Sequence, residues 1–265
     1  MRIENELAQA GRQVSKPFYE AYFLLKNRLT QNGYAFTMSR FEGGNDHGPP
    51  HVMRVVEHLD SILGDNPVGR GILTPLELFL TMIAALYHDT GLLRGREEHA
   101  KSSADLLARD QNSYIFQPYE KDIVSAAIAA HSSSTSIDAP CAQFSDTEII
   151  GNDRVRPRVV AALVRLADEL DEDYRRADPN VAYGLDLPVK SRPFWLFCQR
   201  ILGIRPDPQK KEILFNIKFD SDDAGLFVST PTCPTAVVGW FRPACASYAC
   251  TTAMVELFCM IERPI

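Results

Sequence analysis

Thr74-Pro75-Leu76-Glu77-Leu78-Phe79-Leu80-Thr81-Met82-Ile83-Ala84-Ala85-Leu86-Tyr87-His88-Asp89-Thr90-Gly91 is the stretch whose reading decides the fold. Thr74 with Glu77 three residues on makes a capping box, Pro75 stands at the first helical position where its missing N–H costs nothing, and Gly91 supplies a stop. The apolar run between them predicts a buried helix that delivers His88 and Asp89 at its end. Adjacent helical residues point about 100° apart, and imidazole and carboxylate both ligate borderline and hard divalent ions. The pair can therefore grip one ion from two sides, and further ligands must come from elsewhere.

Working outward, residues 33 to 50 read as a loop ending in Asn45-Asp46-His47-Gly48-Pro49-Pro50, whose double proline starts the next helix. Val52, Val55, Val56, Leu59 and Ile62 then form an apolar stripe to about residue 63, with His51 in the first turn. Periodic segments near 99 to 110, 119 to 131 and 157 to 174 carry His99, His131 and Asp168. Asp168 shares a face with Ala161 and Val164, so it points toward buried surface, where an unpaired carboxylate is costly.

Residues 1 to 31 read as one amphipathic helix with Phe18, Tyr22 and Leu25 on one side, a lid or dimer element. After Asp178-Pro179, residues 212 to 220 alternate like a strand that pairs with 225 to 229, and a last helix runs from about 248 to 261. The expectation is a mainly α protein in three parts: an N-terminal helical segment 1–32, a helical metal-binding domain 33–178, and a small mixed α+β extension 179–265 packed on it.

With 265 residues, 45% of them hydrophobic, the chain can bury a full core, and a formal charge of −6 disfavours bulk nucleic-acid binding. The N-terminal residues show no signal-peptide pattern and no apolar window suits a membrane span, which predicts a cytoplasmic protein. The six cysteines, without a CxxC, are then expected as reduced, mostly buried thiols.

His51 in His-Val-Met-Arg-Val-Val-Glu, His88-Asp89 in Leu-Tyr-His-Asp-Thr-Gly, and Asp168 in Leu-Val-Arg-Leu-Ala-Asp-Glu-Leu-Asp resemble the ligands of the HD-domain metal-dependent phosphohydrolases. His99 and His131 are similar to the two extra histidines of members with two metals. The resemblance covers about residues 45 to 175; Asp46-His47-Gly48-Pro49-Pro50-His51 and the tail with Trp195 further resemble a bacterial subgroup of HD domains with a conserved C-terminal extension. It implies an HD-domain helical bundle whose metal ligands are His51, His88, Asp89, Asp168, His99 and His131, with Asp89, His99 and His131 as the catalytic set. It also leaves room for a chaperone-type ATPase partner, as some members occur beside such modules.

The donor set holds no thiolate, which favours one or two divalent ions among Mn, Fe, Mg, Ni, Co and Zn. The implied reaction is hydrolysis of a nucleotide or other small phosphorylated compound by a metal-activated water. Arg94, Arg96 and Lys101, beside the His88-Asp89 pair, are candidate phosphate donors, the alternative being a solvated basic turn. His47 is a further substrate-contact candidate, and Asp171 a candidate support for a ligand. Arg165 reads as pairing with a carboxylate, His58 as structural, and the other acids of the 168–173 run as facing water. The competing functional reading is a metal- and nucleotide-binding regulatory or sensor module without significant turnover that acts with a protein partner; a homo-oligomer fits either reading.

Overall fold

The computed structural model describes residues 1–31, 46–110, 117–132, 135–179, 187, 189, 191–208, 210 and 212–218. Its centre is the helix predicted from the capping box, Pro75–Tyr87, in which Thr74 Oγ1 accepts from the Glu77 amide at 3.1 Å and Glu77 Oε2 accepts from the Thr74 amide at 2.9 Å. Every side chain from Leu76 to Tyr87 is buried, so this helix, α4, has neighbours on all sides. They are α1 (Arg2–Gln13), α2 (Phe18–Gln31), α3 (Pro49–Leu63), α6 (Pro118–Ala129) and α8 (Pro157–Glu169). The stretch from Pro75 to Arg94 is apolar enough to cross a membrane, but it is buried within the protein, as in the core helix of a soluble domain.

The helix ends at Tyr87, earlier than Gly91 suggests, and the chain tightens into a 3-10 turn over Thr90–Arg94 before α5 (His99–Arg109). Gly91 has a different task from stopping the helix. A Cβ there would fall 2.1 Å from the His99 carbonyl oxygen and 2.4 Å from the Ser103 amide, so only glycine lets the turn lie against α5. The Gly91 amide donates to Ser103 Oγ at 2.7 Å, which ties the two elements together.

Two other boundaries depart from the sequence reading. The single N-terminal helix is two, because Pro17 has no amide to continue α1 and Ser15 turns the chain with φ of 55°. Both pieces join the main core, where Phe18 stacks on Phe79 at 4.4 Å between ring centroids. The helix expected over 157 to 174 ends at Glu169, and a 3-10 turn follows at Tyr174–Arg176. The Asp171 carboxylate is drawn inward to His51 and Arg54, while Asp173 accepts from the Arg175 amide, and these bonds replace further helical ones.

Small β elements complete the described part. An antiparallel hairpin pairs β1 (Glu148–Ile150) with β2 (Asp153–Val155) around Gly151, whose φ is 62°. Past a short helical turn, α7 (Asp138–Cys141), and α9 (Arg192–Arg200), β4 (Glu212–Ile217) forms as expected; its partner in the described residues is β3 (Ile201–Asp207). The proposed strand at 225 to 229 and the helix at 248 to 261 lie outside the described residues. Ile213 joins the main core, and Trp195 and Cys198 bury against Ala177 and Leu187. Cys141 and Cys198 are buried, and the other four cysteines fall outside the described residues. The protein is thus mainly α, with two small two-stranded sheets among the described residues.

Candidate metal centre

One helix start, one helix end and one helix face converge at a single point. α3 brings His51 from its first turn, α4 releases His88 and Asp89 just past its last residue, and α8 presents Asp168. His51 Nε2 lies 3.1 Å from His88 Nε2, 3.4 Å from Asp89 Oδ2 and 3.3 Å from Asp168 Oδ1. His88 Nε2 lies 3.4 Å from Asp89 Oδ2 and 3.6 Å from Asp168 Oδ1. Donors each about 2.1 Å from a common centre are about 3.4 Å apart in a tetrahedron and about 3.0 Å apart at octahedral right angles. His51, His88 and Asp89 therefore have the mutual spacing of one ion's ligands, and Asp168 stands beside both histidines as a fourth donor.

The other carboxylate oxygen of Asp89 faces a second group. Asp89 Oδ1 is 3.5 Å from His99 Nε2 and 3.5 Å from His131 Nε2, and those two nitrogens are 3.1 Å apart. α5 supplies His99 at its start; His131 follows the end of α6, one residue past the helical cap rather than inside the helix. Two donor groups thus share Asp89, one oxygen each.

The far side of each imidazole settles its tautomer. His88 Nδ1 donates to the Ala85 carbonyl at 2.8 Å, His99 Nδ1 to the Arg96 carbonyl at 3.0 Å, and His131 Nδ1 to the Ile128 carbonyl at 2.7 Å. A carbonyl only accepts, so the hydrogen sits on Nδ1 and a lone pair on Nε2. His51 Nδ1 likewise donates to Asp171 Oδ2 at 2.7 Å. In neutral rings the facing Nε2 pairs then oppose lone pair to lone pair, a repulsive contact unless a cation lies between them. This donor chemistry fits a metal at both places.

Charges within the cluster are strongly coupled. Burial alone would lower His51, and Arg176 adds to that, yet Asp168, Asp171 and Asp89 raise it to about 9. His88 is raised in the same way against burial by Asp89 and Asp168, and the two carboxyls, despite burial, are held well below the usual range by the histidines. The carboxylates thus hold positive charge at this point. Asp168 and His99 keep 21% and 23% of their side-chain surface exposed while His51, His88 and Asp89 are sealed, so a molecule can approach from the Asp168 and His99 side.

The remaining predicted positions divide. Arg94, Arg96 and Lys101 are exposed, with no side-chain hydrogen bond or ion pair among the described residues, and the Arg96 carbonyl holds His99. His47 lies 3.2 Å from Arg176, and its ring is 5.6 Å from that of His51. Arg165 pairs with Glu169 at 3.5 Å, and His58 is buried.

The acidic run does not face water. Asp171 and Asp173 are buried against Arg54, Arg175 and Arg176, because the chain leaves the helix at Glu169 and folds back. Arg54 and Arg176 went unnoticed in the sequence. Arg54 stands three residues after His51 and so on the same helical face, a spacing that could have revealed it.

Residues 34–226 match the model of the HD-CE family, which spans most of the chain. Among curated proteins and solved structures none matches it.

Proposed function

The chain belongs to the HD-CE family, and on that footing we propose that it is a metal-dependent phosphohydrolase acting on a nucleotide or another small phosphorylated compound. The observation that carries the reading is Asp89, whose two oxygens serve two histidine-containing donor groups at once. Divalent ions held there would polarise a phosphoryl oxygen and lower the pKa of a water near phosphorus. His51, His88, Asp89 and Asp168 would hold one ion, and Asp89, His99 and His131 a second.

The protein's own side chains supply the rest. The buried walls around His51 and His88 exclude bulk water, which strengthens every electrostatic contact made inside. Arg94, Arg96 and Lys101, exposed and close in sequence to His99, would suit the charge of a phosphate.

Phosphate or polyphosphate release from nucleoside mono-, di- and triphosphates, and monoester formation from phosphodiesters, assayed with manganese, cobalt, iron, nickel, magnesium or zinc, tests this directly. Activity that vanishes in Asp89→Ala supports hydrolysis. Wild-type protein that binds nucleotide yet releases no more phosphate than the variant would instead point to a sensor.

A further inference from the structure

The histidines of the cluster are not held alike. His88, His99 and His131 each lean on a neutral backbone carbonyl, whereas His51 Nδ1 donates to the Asp171 carboxylate. Asp171 is fully buried, and its second oxygen accepts from Arg54 Nε at 2.7 Å. Arg54 in turn reaches Asp46 Oδ2 at 3.1 Å, and the Asp171 carbonyl accepts from Arg176 Nη1 at 2.9 Å. The carboxylate is thus fixed at both ends.

We infer that Asp171 is a positioning residue for the four-donor group: it holds His51 in the tautomer that offers Nε2, Arg54 locks its orientation, and together they set this group's metal affinity apart from that of the three-donor group. This rests on the metal reading proposed above. The argument turns on counting donors. Asp171 stands between two of them, His51 Nδ1–H and the guanidinium of Arg54, which is always protonated. Only a carboxylate accepts on both sides. An asparagine of the same shape presents its NH2 to one of them. If Arg54 keeps the oxygen, His51 must accept at Nδ1, its hydrogen moves to Nε2, and the lone pair leaves the cluster. If His51 keeps the oxygen, Arg54 loses its partner and the lock opens.

The test measures zinc binding to the full chain in competition with a chelator, together with NMR of histidines labelled with nitrogen-15. A His131→Ala background removes a ligand of the three-donor group and isolates the other. In that background Asp171→Asn is expected to weaken zinc by about 10- to 100-fold, the range for a group that supports a ligand, and to shift or remove the hydrogen-bonded Nδ1–H signal of His51. In an Asp168→Ala background, where the three-donor group is the intact one, Asp171→Asn should leave zinc affinity within about threefold, well below that range. Arg54→Met, which keeps the carboxylate but frees it, should weaken the same four-donor group less, and it carries the test if Asp171→Asn does not fold. Equal weakening of both groups, or an unchanged four-donor affinity in a folded variant, overturns the inference. Wild-type protein that binds no ion overturns the metal reading and this inference with it.

Discussion

The amide of Gly91 donates to Ser103 Oγ at 2.7 Å, and the Gly91 Cα sits so close to α5 that an added Cβ would meet the His99 carbonyl oxygen at 2.1 Å. A contact this tight makes a backbone approach, not a side chain, the element that seats His99 opposite His131. Gly91→Ala is therefore expected to push the start of α5 outward, costing about 1–3 kcal/mol as an overpacked site does. His51, His88 and Asp168 lie on other helices and keep their places. Metal analysis should show the variant losing its second ion while retaining the first. A variant with wild-type metal content and stability would show that α5 yields without moving His99.

The capping box at the head of α4 does more than start a helix. Glu77 also accepts from Arg156 through its backbone amide at 2.7 Å, Nε at 2.8 Å and Nη2 at 2.8 Å, and the Glu77 side chain is fully buried. Removing one partner of a buried pair strands the other, so Glu77→Ala is expected to cost about 3–5 kcal/mol, several times the worth of an ordinary cap. Thr74→Ala, which removes the capping hydroxyl and its bond to the Arg154 carbonyl but leaves the ion pair, should cost about 1 kcal/mol. Urea unfolding of the two variants separates these roles, and equal losses would mean that the ion pair adds nothing to the cap.

Much of the site was legible because its ligands sit where sequence signals are strongest. Pro49-Pro50 places His51 in a first turn, and the Thr74 to Glu77 box fixes the phase of the helix that releases His88 and Asp89. Asp171 could be read as a support for a ligand, but the turn that carries it and Asp173 inward was not legible. Helical periodicity runs on past Glu169, and only the tertiary pull of His51 and Arg54 takes the chain out of it. The same holds for β3, where Gly203 and Pro206 break any alternation and pairing with β4 alone makes the strand. The β1–β2 hairpin did have a local signal, the Gly151-Asn152 dipeptide between Ile150 and Asp153.

The division of Asp89 between two donor groups predicts unequal losses on substitution. Asp89→Asn replaces one ligating oxygen with an amide nitrogen, whichever way it turns, so one group loses its oxygen donor and the other keeps only a neutral one. His131→Ala spares the four donors around His51. Metal content is expected to fall furthest in Asp89→Asn and by about one ion in His131→Ala, with phosphate release lowered at least 100-fold or so in the former, beyond the effect of a supporting residue. If His131→Ala retained both ions, His131 would be a hydrogen-bonded core histidine and its place among the donors would fail.

His58 gives the fold an acid sensitivity of its own. It is buried on α3, its Nε2 has no hydrogen-bond partner among the described residues, and Asp171 Oδ1 is 3.9 Å away. Burial dominates; Asp171 and Asp173 oppose it, Arg175 and His51 reinforce it, and the imidazole is pushed down to about 4. The sign follows from proton counting. Below its ordinary value of 6.5 the unfolded chain takes up a proton that the folded chain refuses, so stability falls as pH drops from 6.5 toward 4. Between about pH 7 and pH 5 the loss from this one group is about 2 kcal/mol. His58→Leu keeps a similar volume, abandons no hydrogen bond at Nε2, and should flatten that part of the profile. Urea unfolding of both proteins at the two pH values measures it: parallel losses would show that His58 is not the group that titrates, while a variant about 2 kcal/mol less sensitive to acid assigns the slope to it.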